Sequence, residues 1–151
     1  MNRVMTPSEI GARAEIAVAH ALANLGKLVL APLFAAHLRY DLAFEDAAGI
    51  HRVQVKSGRA RNGVIQFASC SHTNNVQASY EGEADFFGVY CHELRSTYLI
   101  PVTDVPTNVA HLRLVPSKNN QRKGIRWADD YRISGQEPCP AQPNLVTWPD
   151  R

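Results

Sequence analysis

The sequence predicts one α/β domain built on a mixed or mainly antiparallel β-sheet. Its 151 residues are the length of one ordinary domain, enough to bury about two-thirds of the surface of the unfolded chain. A segment with helical periodicity lies near the N-terminus, and short apolar or alternating segments separated by turn signals follow it. We find no internal repeat or dividing linker, so these elements are expected to share one core.

The N-terminal helix is predicted by its cap and its apolar stripe. Thr6 and Glu9 form a capping box with Pro7 at the first helical position. Gly26 is the expected C-terminal cap. The apolar residues between them recur at helical spacing: Ile10, Ala14, Ala17, Val18, Ala21, Leu22 and Leu25.

The remaining chain is predicted to form strands and turns. The strand segments are residues 28–30, 40–44, 50–57, 64–67, 86–91 and 97–102, with a short edge strand over 112–115. Turns are predicted over 46–49 and at Asn62-Gly63. Residues 69–79 are expected to be a loop or a short irregular helix, and residues 125–131 a short helix.

The Pro-rich segment 137–151 is expected to be an irregular tail that follows a domain of residues 1–136.

Composition excludes several classes of protein. Hydrophobic residues make up 45% and the net charge is +2, which excludes a disordered chain. No apolar run approaches the ~20 residues of a membrane span, and the first residues lack the apolar core of a secretory signal. Three cysteines are an odd number and too few for a disulfide framework. We therefore expect a cytoplasmic protein.

Positive charge is concentrated in two segments without carboxylates, residues 50–66 and 113–126. This segregation favours a polyanionic partner, and two solvated loops are the alternative. Phosphate-binding, nucleophile-elbow and zinc motifs are absent, among them GxxxxGK[ST], GxGxxG, GxSxG, HExxH and CxxC.

A small polar patch is predicted on the sheet. Gln54 and Lys56 are two residues apart on one strand and therefore share a face. If the turn over 46–49 joins antiparallel strands, Asp41 lies near them. Glu15, at the edge of the apolar stripe of the helix, could lean over the same patch.

The order Glu15, Asp41 and Gln54-Val55-Lys56 resembles the PD-(D/E)XK nuclease superfamily, which has the restriction-endonuclease-like fold. Residues 8–131 are similar to the branch that includes group I intron-encoded homing endonucleases. The resemblance implies a central mixed β-sheet flanked by helices. The segments that support it are Gly11-x-x-x-Glu15, Gly26, Pro32, Arg39-Tyr40-Asp41-Leu42, Val53-Gln54-Val55-Lys56 and Tyr98-Leu99-Ile100-Pro101.

The resemblance implies Mg²⁺-dependent hydrolysis of DNA, with Mn²⁺ as a possible substitute. Asp41 would be the central metal ligand, joined by the amide oxygen of Gln54 and the carbonyl of Val55. Glu15 matches the acid of the first helix, a ligand directly or through water. Lys56 would orient or activate the attacking water and offset charge on the phosphate. Mg²⁺ prefers such oxygen ligands and uses one or two carboxylates.

Two departures from the family pattern matter. Gln54 stands where the pattern usually has Asp or Glu, so one negative charge beside the metal is missing. At an effective dielectric near 20, a unit charge ~4 Å from the metal is worth about 4 kcal/mol. Glu15 could offset this loss, and without it a non-cutting nucleic-acid-binding relative is the alternative. The second departure concerns the helix that usually follows the strand containing the motif lysine, here Lys56. In this sequence only residues 71–80 could form that helix.

The expected partner is double-stranded DNA. Arg59 and Arg61, in a predicted loop over residues 58–63, are expected to contact flanking phosphates. Base contacts are expected from a second segment, whose alternative role is a solubilising loop: Lys118, Asn120, Arg122 and Lys123. Ser69, Ser71 and Tyr80 could touch a phosphate or simply fill a polar loop. A double-strand break would need at least a dimer, because one site cuts one strand.

A third interpretation is an unrelated α/β interaction domain. In it Glu15 is an exposed helix residue, Asp41 a strand-end cap and Lys56 a solvated lysine.

Overall fold

A computed structural model describes residues 3–34, 36–73, 76–119 and 121–134. The elements are the helix α1 (Pro7–Asn24) and ten strands: β1 (Leu28–Leu30), β2 (Leu42–Asp46), β3 (Gly49–Arg61), β4 (Val64–Ala68), β5 (Ser71–Thr73), β6 (Val76–Ala78), β7 (Phe86–Cys91), β8 (Ser96–Pro101), β9 (Val109–Arg113) and β10 (Arg132–Ser134). Short 3-10 helices cover Val102–Asp104 and Ala128–Asp130. The predicted tail, residues 137–151, lies outside the described residues.

Both ends of α1 have the predicted caps. The Thr6 hydroxyl accepts from the Glu9 amide, and the Glu9 carboxylate accepts from the Thr6 amide at 2.8 Å. At the C-terminus, Gly26 has φ +77° and its amide donates to Ala23, while the Lys27 amide donates to Leu22. This is a Schellman motif, which requires the left-handed backbone that glycine adopts most readily.

The main sheet is mixed, as predicted. Its order is β1-β2-β3-β7-β8-β10, and β4 adds to β3 and also pairs with β9. Strands β3 and β7 are parallel, and the other pairs of this sheet are antiparallel. Strand β3 is long enough to pair with β2 and β7 over its first part and with β4 at its end. It therefore joins the two parts of the sheet.

Helix α1 packs on one face of this sheet. Val18 and Leu22 are fully buried against Val53 and Val55 of β3. The approach is close at Gly88, where an added Cβ would lie 2.6 Å from a Val18 methyl group. The opposite face of the sheet contains a second apolar cluster, which includes Ile65, Phe67, Tyr80, Phe87, Val89 and Leu112.

Two expectations about the chain after Lys56 are wrong. Residues 58–61 form the end of β3, not a loop, because Gly58 pairs with β7 and residues 59–61 pair with β4 across the turn at Asn62-Gly63. Both turn residues have positive φ, Asn62 at 51° and Gly63 at 75°, as a tight hairpin requires. The expected loop or helix over 69–79 contains β5 and β6, which pair antiparallel and so satisfy each other's backbone groups. Residues 71–80 therefore do not supply a helix after the lysine strand.

Smaller differences lie near the C-terminal end of the described chain. The edge strand expected over 112–115 begins earlier, at Val109, because β9 pairs with β4 along its whole length. The expected helix over 125–131 is reduced to the 3-10 turn Ala128–Asp130, and β10 follows it. In the part of the chain that the structure describes, no helix is long and apolar enough to cross a membrane.

Candidate active site

Asp41 lies where the chain enters the sheet, one residue before β2 rather than inside the predicted strand. Its amide donates to the Val53 carbonyl at 2.9 Å, which extends the pairing of β2 with β3. Its Oδ2 atom accepts from the Val55 amide at 2.8 Å and from the Gln54 side-chain amide at 2.7 Å. The carboxylate is thus held at a fixed place beside the middle of β3.

The Gln54 side chain faces two oxygens that the sequence assigned to a metal site. Its Nε2 donates to Asp41 Oδ2 and also, at 3.3 Å, to the Val55 carbonyl. In this arrangement the amide nitrogen, and not the amide oxygen, occupies the space between them. The amide must turn before its oxygen can bind a cation beside Asp41.

Electrostatic interactions connect Asp41 to Glu15 and Lys56. Burial raises the pKa of Asp41, and the hydrogen bond from Val55 and the charge of Lys56 oppose that rise without cancelling it. Partial burial also raises the pKa of Glu15, and the negative charge of Asp41 adds to the effect. The negative charge of Asp41 therefore disfavours the ionised form of Glu15, which is an exposed residue of α1.

Lys56 projects from the same face of β3 as Gln54. Its Nζ donates to the Tyr80 hydroxyl at 3.1 Å and to the Cys70 carbonyl at 3.5 Å. The ammonium also lies 4.7 Å from the centroid of the Tyr80 ring. The side chain is partly buried, so this lysine is not the solvated surface residue of the third interpretation.

Asp41 and Gln54 border a cavity of about 470 Å³. Asp41 and Gln54 line it from one side, and Arg39, Ser71 and Tyr80 from the other. The Arg39 guanidinium donates to the Ser71 hydroxyl at 2.8 Å and pairs with Glu83. The cationic side chain of Arg39 and the carboxylate of Asp41 therefore face one open space.

The sequence assigns no site role to Arg39, and it leaves the role of Tyr80 open between a phosphate contact and a loop residue. The signal for Arg39 was present, because it stands two residues before Asp41 in the segment that carries the resemblance. Tyr80 and Ser71, which the sequence offers as candidate phosphate contacts, both line the cavity. Ser69 does not: it is 3% exposed and its hydroxyl donates to the Pro106 carbonyl, so it is a structural residue.

The cationic residues expected to contact DNA lie away from Lys56. Arg59 and Arg61 are exposed and line a groove of about 340 Å³ with Gln66. Since side chains alternate along a strand, they project from the face of β3 opposite to Lys56. Lys118, Arg122 and Lys123 are exposed in the segment between β9 and β10, and Asn120 lies outside the described residues.

The acidic ligands available for a metal are few. Among the described residues, no group of three or more His, Cys, Asp and Glu side chains is placed to hold a metal ion. The site offers two carboxylates, Asp41 and Glu15, and neutral oxygens from Val55 and Gln54. This donor set fits Mg²⁺, which binds proteins through one or two carboxylates and keeps several waters.

Comparisons with known proteins identify the family and the fold. A family model described as PD-(D/E)XK endonuclease matches residues 5–134. Among solved structures, the chain is similar to a bacterial homing endonuclease, I-Ssp6803I, with 24% sequence identity and a TM-score of 0.62. That match covers 86% of this chain and 88% of the other, and it supports the restriction-endonuclease-like fold. A search of curated proteins finds no match.

Proposed function

The chain belongs to the PD-(D/E)XK endonuclease family, and we propose that it is a Mg²⁺-dependent DNA endonuclease with a homing or other mobile-element role. The observation that supports this proposal is the arrangement around Asp41, whose carboxylate meets the side chain of Gln54 and the amide of Val55 on the strand that carries Lys56. Family membership removes the third interpretation, an unrelated interaction domain.

Asp41 and Glu15 would hold the metal, with the Val55 carbonyl and the Gln54 amide oxygen as further ligands. Burial raises the pKa of both acids, the charge of Asp41 adds to the rise for Glu15, and a divalent cation would favour the ionised form of each. Bound Mg²⁺ would supply Lewis-acid activation of the phosphate and a more acidic bound water. Mn²⁺ offers the same coordination.

Lys56 would act beside this metal site. Its ammonium lowers the pKa of Asp41, so its charge reaches the place where the metal and the phosphate would meet. There it would orient the attacking water and stabilise the negative charge that develops on the scissile phosphate.

Double-stranded DNA is the proposed partner, in the cytoplasm. Arg59 and Arg61 would bind the phosphate backbone, and the exposed segment with Lys118, Arg122 and Lys123 would reach base edges, joined by Asn120. A homodimer would place two sites on opposite strands for a double-strand break.

The second candidate function is a nucleic-acid-binding relative that does not cut. The observation that favours it is the Gln54 amide group, which already donates to Asp41 and to the Val55 carbonyl and so compensates the carboxylate without a metal. Such a protein would bind DNA in the presence of EDTA and would keep its affinity when Asp41 is replaced by alanine.

Cleavage of supercoiled plasmid and long duplex DNA tests the proposal. Wild type and Lys56→Ala are compared with Mg²⁺ or Mn²⁺, with EDTA as the metal-free control. We expect metal-dependent nicking in wild type and a loss of at least ~100-fold in the variant. Salt-sensitive binding without cutting would favour the second candidate. Nicking that survives Lys56→Ala would contradict the role given to this residue.

A further inference from the structure

We propose that Tyr80 is a positioning residue that fixes the Lys56 ammonium for the reaction, an inference that rests on the proposed nuclease function. Tyr80 lies 24 residues after Lys56, just beyond β6, and is 5% exposed. Tyr80 does not belong to the sequence segments that contain Asp41 and Gln54-Val55-Lys56. Its contacts with Lys56 are the basis for the proposed role.

Tyr80 meets Lys56 in two ways. The phenol oxygen accepts a hydrogen bond from Nζ at 3.1 Å, and the ammonium lies 4.7 Å from the ring centroid, within the range of a cation–π contact. A lysine side chain has large rotamer freedom, so a free ammonium would spend little time in one geometry. Both contacts with Tyr80 restrict that freedom.

The hydrogen bonds of Lys56 leave one donor for the reaction. An ammonium has three N–H groups. The Tyr80 hydroxyl and the Cys70 carbonyl accept from Nζ, the latter at 3.5 Å. These two anchors would aim the third N–H at a water molecule or a phosphate oxygen beside Asp41.

The Tyr80 ring is itself held rigidly. Its edge packs against Phe87 with the two rings nearly perpendicular, at 86° and 5.5 Å. The Arg39 guanidinium lies 4.4 Å from the ring centroid, and Arg39 in turn contacts Ser71 of β5 and Ala78 of β6. The small β5–β6 sheet thereby supports Tyr80, and a locked supporting residue is what a precise site requires.

Two substitutions distinguish the contribution of the Tyr80 hydroxyl from that of its ring. Tyr80→Phe removes the hydrogen-bond acceptor and keeps the aromatic contacts, whereas Tyr80→Leu removes both. Tyr98→Phe is the matched control, because Tyr98 is a tyrosine of the same apolar cluster that is 2% exposed. Rates of cleavage are measured under single-turnover conditions with Mg²⁺, and affinity for the same duplex is measured with Ca²⁺.

We expect the hydroxyl and the ring to contribute separately to the cleavage rate. Losing a residue that orients a reacting group costs about 10- to 100-fold in activity, so we expect about 10-fold slower cleavage for Tyr80→Phe and about 100-fold for Tyr80→Leu. DNA affinity should change by less than about twofold, since only the chemical step depends on the aim of the ammonium. Tyr98→Phe should cleave at the wild-type rate.

A second measurement detects the contact without catalysis. The chain has four lysines, so the side-chain methylene signals of ¹³C-labelled lysine can be assigned by replacing Lys56 with alanine. In the metal-free protein, the ring current of Tyr80 should shift the Lys56 signals upfield. The shift should persist in Tyr80→Phe and disappear in Tyr80→Leu.

The outcomes distinguish this inference from the proposed function. Wild-type cleavage together with unimpaired Tyr80 variants would overturn the role of Tyr80 and leave the nuclease in place. A wild-type protein that does not cleave would remove the proposed function, and with it the role of Tyr80 in positioning Lys56 for the reaction. Equal losses of rate and DNA affinity in both variants would indicate a structural role and also contradict the inference.

Discussion

At the scale of single residues, the candidate site is a balance of a few charges. The negative charge of Asp41 raises the pKa of Glu15, and the positive charge of Lys56 opposes only part of the rise that burial causes in the pKa of Asp41. Gln54 adds no charge but donates to the acid at 2.7 Å. A divalent cation would change each of these interactions, because its charge would neutralise the carboxylates more strongly than Lys56 and Gln54 do.

The proximity of Glu15 and Asp41 predicts a measurable coupling. Since the negative charge of Asp41 raises the pKa of Glu15, we expect Asp41→Asn to lower the pKa of Glu15 toward its ordinary value. The carboxyl carbon signal of Glu15, followed by NMR as a function of pH, measures this shift. Asp46→Asn is the control, because Asp46 interacts with His51 and Lys27 instead.

The sign of the pH dependence follows from the same coupling. A carboxylate whose pKa is higher in the folded state binds more protons there, so stability falls as pH rises from the unfolded to the folded pKa of the group. Asp41→Asn should therefore narrow the pH range between the unfolded and the folded pKa of Glu15, over which stability falls. A Glu15 titration unchanged by Asp41→Asn would mean that the two acids do not share a site.

At the scale of elements, the close packing of α1 on β7 sets the position of Glu15. An added Cβ at Gly88 would lie 2.6 Å from Val18 Cγ1 and 3.0 Å from Val53 Cγ1, in a fully buried contact. We expect Gly88→Ala to lower the free energy of unfolding by about 1–3 kcal/mol, because the helix must move outward. Urea unfolding monitored by circular dichroism measures the change.

Gly11→Ala is the matched control for this substitution. Gly11 lies inside α1, and an added Cβ there meets nothing within 4 Å. The substitution should raise the free energy of unfolding by about 0.5–1 kcal/mol, because alanine is the better helix former. Equal stability of the two variants would contradict the close packing of helix and sheet at Gly88.

Local signals in the sequence predicted the elements that local chemistry determines. The capping box at Thr6 and Glu9, the glycine after α1 and the turn at Asn62-Gly63 each act within a few residues, and each is present. Periodicity does not identify the strands of the segment 69–79, because each is only three residues long. The contact of Tyr80 with Lys56 depends on packing across 24 residues, which no local pattern encodes.

At the scale of the whole molecule, the cationic side chains proposed to bind DNA lie on two separate surfaces. Lys56 and Gln54 project from one face of β3, while Arg59 and Arg61 lie on the other and line a separate groove with Gln66. A duplex seated at Asp41 must therefore curve around the end of β3 to touch both arginines. If it does not, the exposed segment with Lys118, Arg122 and Lys123 supplies most of the backbone contacts.

The salt dependence of DNA binding distinguishes these two arrangements. Each phosphate contact contributes about −0.9 to the slope of log K against log salt concentration. If Arg59 and Arg61 both bind phosphates, their double replacement by alanine should make the slope less negative by about 2. The comparison is Arg95→Ala, an exposed arginine in the turn between β7 and β8, whose slope should equal that of wild type. An unchanged slope for the double variant, with a reduced slope for Lys118→Ala combined with Lys123→Ala, would place the DNA on the other segment and remove Arg59 and Arg61 from the interface.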